Sequence, residues 1–249
     1  MRNDDTTPVI LVTGAARRVG AEIARTLHAS GATVVLHYRR SARDAERLAA
    51  ELNAQRADSA STVVGDLGQD GVPEALIDAV LARYPGLDAV VNNASSFFST
   101  PLGEIDAAAW TDLIGSNLKG PLFLSQAAAP ALRARRGAIV NIIDIHAERP
   151  LRHYPLYSTA KAGLLGLTRA LALELAPEVR VNGVSPGAID WPEDGQFPPA
   201  ERTRIIDQTL LQRLGSSADI ARTVRFLLFD APYVTGQILA VDGGRSIHL

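Results

Sequence analysis

The feature that most restricts this chain is a rhythm. Short apolar, β-branched runs recur along it, and longer stretches with helical spacing separate them. The runs fall at 9–13, 33–37, 61–64, 89–92, 138–143, 179–184 and 237–241. Helical patterns cover 19–29, 43–57, 73–84, 107–135 and 154–176, and two more, near 200–212 and 217–229, precede the last run. Strands this short and apolar on both faces suit a parallel sheet covered by helices on either side, with right-handed crossovers. The expected fold class is α/β: a doubly wound, seven-stranded parallel sheet flanked by helices, forming a single domain over residues 1–249. No linker, repeat, low-complexity tract or charge run divides the chain. The stretch 186–199 holds four prolines and two glycines and reads as a loop or lid, the start of a substrate loop at about 186–212.

With 249 residues, 47% of them hydrophobic, the chain can bury a full core. Its net charge of −2 gives no reason to expect a nucleic-acid partner or an anionic membrane surface. No run approaches the roughly 20 apolar residues needed to span a bilayer, and residues 1–8 are polar with no signal core. A cytoplasmic location is expected. With no cysteine, disulfides, thiolate metal sites and cysteine nucleophiles are excluded, and no metal site is expected.

The first run leads into Thr13-Gly-Ala-Ala-Arg-Arg-Val-Gly20, and a helix follows. Small residues there let the backbone approach a pyrophosphate, and a helix N-terminus offers N–H groups and partial positive charge. This placement, after strand one and before helix one, makes the fold Rossmann-type, with Gly14, Arg18 and Val19 at the phosphates. Arg17 and Arg18 suit bidentate phosphate contacts, although a solvated arginine is the plain alternative for Arg17. Strand two ends His37-Tyr38-Arg39-Arg40-Ser41, without the acid that would bind a ribose diol. Arg39, Arg40 and Ser41 can instead neutralise a 2′-phosphate, which favours NADPH over NADH. Asp66-Leu67 follows strand three; the aspartate can accept from an adenine amino group or serve as a turn or cap residue. Asn92-Asn93-Ala94-Ser95 ends strand four. Asn117, inside the long helical pattern, is a poor helix former that could open the helix locally if buried.

Tyr157 and Lys161 are four residues apart on one helix and so share a face. An ammonium beside a phenol is expected to lower its pKa and make Tyr157 a usable proton donor. Asp144 sits 13 residues earlier, at the end of strand five, on the edge of the sheet where ligands bind.

Taken together, Thr13-Gly14…Gly20, Asp66, Asn92-Asn93-Ala94, Asn117, Tyr157-x-x-x-Lys161, Pro186-Gly187 and the ending Val234 to Gly244 resemble the short-chain dehydrogenase/reductase family over essentially the whole chain. Within it the chain looks like the pteridine reductases. Four features carry that closer match: Arg18 where the family has a glycine, the His37–Ser41 stretch, Asn93-Ala-Ser-Ser-Phe97, and Asp144 in place of a serine. The resemblance implies an oxidoreductase passing hydride from NADPH to a dihydropterin, with dihydrofolate as a second substrate. Cofactor contacts would come from Gly14, Arg18, Val19, His37 to Ser41, Asp66, Leu67, Asn93, Ala94, Ser95, Tyr157, Lys161, Pro186, Gly187 and Ile189. Phe97 would stack on the pterin, Arg18 and Ser95 would touch both pterin and cofactor phosphate, and Asp144, Tyr157 and Lys161 would form the catalytic set. Trp191 is expected to line the substrate tail, with Asp190 and Glu193 shaping its specificity, and the assembly to be a homotetramer.

Asp144 supports this reading on physical grounds. A carboxylate would repel the oxyanion that develops in ketone reduction, whereas reduction at C=N needs a proton on nitrogen, which an acid–tyrosine pair can relay. The competing readings are a ketone or 3-oxoacyl reductase of the same fold and a non-catalytic dinucleotide-binding regulator.

Overall fold

The computed structural model describes residues 7–191 and 197–248, with the backbone alone for His248. Seven strands form one sheet: β1 (Val9–Val12), β2 (Thr33–Tyr38), β3 (Ala60–Val64), β4 (Ala89–Asn92), β5 (Ala138–Ile142), β6 (Arg180–Pro186) and β7 (Ile238–Val241). Their order is β3-β2-β1-β4-β5-β6-β7, and every pairing is parallel. The order reverses between β1 and β4, which is where sheets of this kind open a crevice at their carboxyl ends.

Alternation of side chains along each strand explains why the strands read as continuous apolar runs. In β1, Ile10 and Val12 pack toward Ile23 and Leu27 of α1 (Arg18–Ala29) and Ile220 and Val224 of α8 (Ser217–Arg225). Val9 and Leu11 face the other way, toward Leu76 and Val80 of α3 (Val72–Arg83) and Leu124 and Leu132 of α5 (Gly120–Arg135). Helix α2 (Ala42–Gln55) joins the first layer through Leu48 and Leu52, and α6 (Pro155–Leu175) the second through Ala172 and Leu175.

Three expected helices differ in detail. The helix expected over 107–135 is α4 (Ala107–Ile114), a π turn (Gly115–Lys119) and α5. Asn117, wholly buried in that turn, donates from Nδ2 to the Leu113 carbonyl at 3.0 Å and to the Ser96 carbonyl at 2.9 Å. A side chain that occupies a helix carbonyl competes with the backbone ladder, and π turns mark such sites. The helix expected over 217–229 ends as α8 at Arg225, with a π turn over Phe226–Asp230. There the Arg180 guanidinium takes the carbonyls of Leu227 and Leu228 at 2.7 and 3.0 Å. The helix near 200–212 is α7 (Pro199–Asp207), closed by Thr209 donating from its hydroxyl to the Ile205 carbonyl. Among the described residues no helix is long and apolar enough to cross a membrane, and no group of three His, Cys, Asp or Glu residues could hold a metal.

Candidate functional site

A cleft of about 400 Å³ opens at the carboxyl ends of β1, β4 and β5. Its floor is backbone held by side chains from neighbouring strands. The Thr13 hydroxyl accepts from the N–H groups of Asn93 and Ala94, both at 2.9 Å, and Asn93 Nδ2 donates to the Thr13 carbonyl at 2.8 Å. Gly14 has φ +61°, and a Cβ there would come 2.9 Å from Ala94 Cα, so only glycine fits this close approach. The buried His37 ring joins the two loops: Nδ1 faces the Gly14 N–H at 3.2 Å and Nε2 the Gly65 carbonyl at 3.0 Å. These partners require a neutral ring protonated on Nε2. Burial lowers its pKa and favours that form, against the Gly65 bond and the Asp66 charge.

Helix α1 has no side-chain cap at Arg17, so no side chain occupies its first-turn N–H groups beside the cleft. An open helix N-terminus over a backbone floor suits an elongated ligand with a diphosphate. Arg18 adopts φ +50°, a conformation that costs an L-residue about 1–2 kcal/mol. That geometry explains the glycine usual at this position and the strain accepted here to keep a guanidinium. Its Nη2 donates to the Asp190 carbonyl at 2.9 Å. Arg17 borders the cleft but pairs with Asp44 at 2.5 Å.

Fifteen of the residues expected around a dinucleotide line this cleft: Gly14, Arg18, Val19, His37, Arg39, Asp66, Leu67, Asn93, Ala94, Ser95, Tyr157, Lys161, Pro186, Gly187 and Ile189. Tyr38, Arg40 and Ser41 do not. Of the stretch Tyr38 to Ser41, Arg39 is the residue that borders the crevice. Arg39 is engaged, with Nη1 2.7 Å from Asp112 Oδ1 and 3.8 Å from Asp66 Oδ2. Burial pushes the Asp112 carboxyl up, but hydrogen bonds from Arg39 and Ser96 outweigh it and hold the carboxyl below its usual value. Asp66 also accepts from the Gly68 N–H at 3.1 Å, so it is a turn residue that borders the cleft.

Asp144, Tyr157 and Lys161 meet at the inner end. The Tyr157 hydroxyl donates to Asp144 Oδ2 at 2.7 Å, and Asp144 Oδ1 accepts from the His146 N–H at 2.8 Å. Asp144 therefore caps the short 3-10 turn Ile145–Ala147 and holds the tyrosine at once. Lys161 Nζ donates to the Ile142 carbonyl at 2.9 Å and stands 5.7 Å from the Tyr157 ring centre. The expected lowering of the tyrosine pKa is overturned. Burial, followed by the charge and hydrogen bond of Asp144, raises Tyr157 well above its ordinary value. Burial brings Lys161 down to about 8, against the Asp144 charge.

A second cavity of about 210 Å³ adjoins Asp144 and Tyr157, with Phe97, Trp191, Phe197 and Arg18 in its wall. Phe97 stacks on Tyr154 at 4.7 Å and 11°, meets Tyr157 edge-on at 4.8 Å, and lies 6.4 Å from Phe197. Trp191 lines this cavity as expected. Asp190 borders it, but its carboxylate accepts from the N–H and hydroxyl of Ser217. Glu193 lies outside the described residues. Sequence reasoning did not find Phe197, Ser96, Ser116 or Arg245 at these cavities, nor Tyr154 behind Phe97. Tyr154 alone carried a local signal, one helical turn before Tyr157.

A parallel sheet with a backbone-floored crevice at its switch point, and beside it an Asp–Tyr–Lys group whose tyrosine and lysine are buried, defines a dinucleotide-dependent oxidoreductase of the Rossmann type. The comparisons specify this further. The family model described as enoyl-(acyl carrier protein) reductase matches residues 14–246, and the chain belongs to the short-chain dehydrogenase/reductase family. It is 43% identical to pteridine reductase 1 of Leishmania tarentolae over 99% of each chain. It is also 36% identical to the 3-oxoacyl-(acyl-carrier-protein) reductase FabG of Staphylococcus aureus, over 94% of this chain and 96% of the relative.

Proposed function

We propose that this reductase transfers hydride from NADPH to a dihydropterin, giving the tetrahydro form, and accepts dihydrofolate as a second substrate. The observation that carries the reading is the 2.7 Å hydrogen bond from Tyr157 to Asp144. NADPH, when bound, supplies the hydride. Tyr157 holds the proton at Oη, kept there by its raised pKa. Asp144 orients that hydroxyl, offers a carboxylate to the N–H donors of an aminopteridine, and repels the oxyanion that a ketone would develop. Lys161 steadies the site from the Ile142 carbonyl. Phe97 and Phe197 offer faces to a flat ring, and stacked aromatic pairs are worth about 0.5–1.5 kcal/mol beyond area. Arg39 would meet a 2′-phosphate, which is the basis for preferring NADPH. The reading takes residues 1–249 as one catalytic domain, cytoplasmic and assembled as a homotetramer.

The relatives named as 3-oxoacyl reductases support a second reading, ketone reduction on an acyl thioester. Following NADPH absorbance with 7,8-dihydrobiopterin or dihydromonapterin separates the two, with Asp144→Ser run alongside. Turnover by wild type and its loss in the variant support the pterin reading. An inert wild type that reduces acetoacetyl thioester overturns it.

A further inference from the structure

The Arg245 side chain is the unexplained charge of this site. It is only 5% exposed and comes from the short helix α9 (Arg245–His248), far from Asp144 in sequence, yet it lines the same small cavity as Asp144, Tyr157 and Phe97. Its Nε is buried without a hydrogen-bond partner, and its guanidinium makes no hydrogen bond or ion pair with any described residue. An arginine stays charged in a protein, and an isolated buried charge is costly unless something pairs with it. Burial and the Arg204 charge lower its pKa, while the charges of Asp144, Asp242 and Glu201 raise it without a hydrogen bond or ion pair to Arg245. Two other arginines border the cavity: Arg18 donates to the Asp190 carbonyl at 2.9 Å, and Arg204 of α7 lies near Glu201 at 3.8 Å and is largely exposed.

The cavity thus carries both kinds of partner: Asp144 supplies acceptor oxygens, Arg245 supplies unmatched donors, and Phe97, Trp191 and Phe197 add aromatic rings to its wall. We propose that Arg245 is a specificity-determining residue that pairs with a carboxylate carried on the substrate's ring or on the first atoms of its tail. The fork of a guanidinium matches the two oxygens of a carboxylate, and a cavity of about 210 Å³ leaves space for a compact group only. This inference rests on the pterin reading, because it takes the ring to lie between Asp144 and Arg245.

The test compares two ligands that differ at one position: 6-carboxy-7,8-dihydropterin and 6-hydroxymethyl-7,8-dihydropterin. Kd in the presence of NADP and kcat/KM with NADPH are measured for wild type, Arg245→Gln and Arg245→Lys. Wild type is expected to favour the carboxylate by about tenfold or more, the size of a charge-assisted pair. Arg245→Gln is expected to bring the two within about twofold, and Arg245→Lys to keep part of the preference, since it retains the charge but not the fork. NADP affinity and Tm report whether each variant is folded; if Arg245→Gln is not, the wild-type ratio and Arg245→Lys decide. Equal handling of the two ligands by wild type, or an undiminished preference in Arg245→Gln, overturns the inference and leaves the pterin reading standing. Binding of neither ligand overturns both.

Discussion

The Tyr157 hydroxyl donates to Asp144 at 2.7 Å, while Lys161, one helical turn further on, donates to the Ile142 carbonyl instead of to the tyrosine. The carboxylate raises both neighbours: it disfavours the phenolate and favours the ammonium. Asp144→Asn is therefore expected to lower the pKa of Tyr157 and to take Lys161 further below about 8. Ultraviolet difference titration of tyrosinate, with Tyr157→Phe for assignment, checks the first shift. An unmoved Tyr157 titration in Asp144→Asn would sink this account.

The depressed Lys161 pKa also sets opposite trends for activity and stability. In the folded protein the ammonium is lost as pH rises through about 8, whereas an unfolded lysine keeps its proton to about 10.4. Between those values the unfolded chain binds more protons, so this group's contribution to stability rises with pH. Activity that needs the Lys161 charge falls over the same window. kcat/KM is expected to decline above pH 8 without a matching fall in Tm attributable to this lysine. Lys161→Arg, charged throughout, is expected to flatten the decline in whatever activity it retains.

Arg39 is shared between a protein partner and the proposed phosphate. Asp112 holds its Nη1 and offsets its charge, so Asp112 competes with a 2′-phosphate for the guanidinium. Asp112→Asn is expected to tighten NADPH binding severalfold and leave NADH binding nearly unchanged. Arg39→Ala is expected to weaken NADPH by about tenfold or more, the scale of one charge-assisted contact, and to erase the preference over NADH. Fluorescence titration of both nucleotides reads these ratios.

Much of this arrangement was legible in the chain. The inner strands declared themselves because both their faces are buried, as with Val9 to Val12, whereas the edge strands β3 and β7 are only partly covered. Asp144, Tyr157 and Lys161 could be grouped because a strand end and an i, i+4 pair fix their places locally. The partner of Arg39 could not be read, because Asp112 lies 73 residues away on α4 and nothing local in the sequence brings the two together. Arg245 was missed for the same reason: nothing near it in sequence says that the C-terminal turn folds back over the substrate cavity. The direction of the Tyr157 shift was missed because the spacing gives proximity to Lys161 but not the full burial of the phenol or its hydrogen bond to the Asp144 carboxylate.

Asn117 links the fold to the site. Its Nδ2 satisfies Leu113 in the helix and Ser96 beside the cleft, while its Oδ1 is buried without a partner among the described residues. Asn117→Ala removes the donor and leaves the Ser96 carbonyl without this partner. A loss of about 1–3 kcal/mol is expected, which at about 2–4 °C per kcal/mol for a chain of this size is readily seen in Tm. Substrate and cofactor KM should rise together, because the Ser96 segment borders the dinucleotide cleft and leads directly to Phe97.

His37 makes the cofactor loop sensitive to acid. Its ring must be neutral, since Nδ1 accepts from Gly14 while Nε2 donates to Gly65. Burial depresses its folded pKa below the ordinary value near 6.5. The unfolded chain therefore takes up the proton first as pH falls, and stability from this group is present above about 6.5 and is lost as pH drops through the folded pKa. His28, also lowered chiefly by burial, acts in the same direction. NADPH affinity should fall with stability on the acid side, because a protonated Nδ1 can no longer accept from the Gly14 N–H. His37→Gln keeps a donor and an acceptor without a titrating ring. It is expected to hold cofactor affinity as pH falls through the folded pKa of His37, below 6.5, where wild type loses it; parallel loss in both would place the acid sensitivity elsewhere.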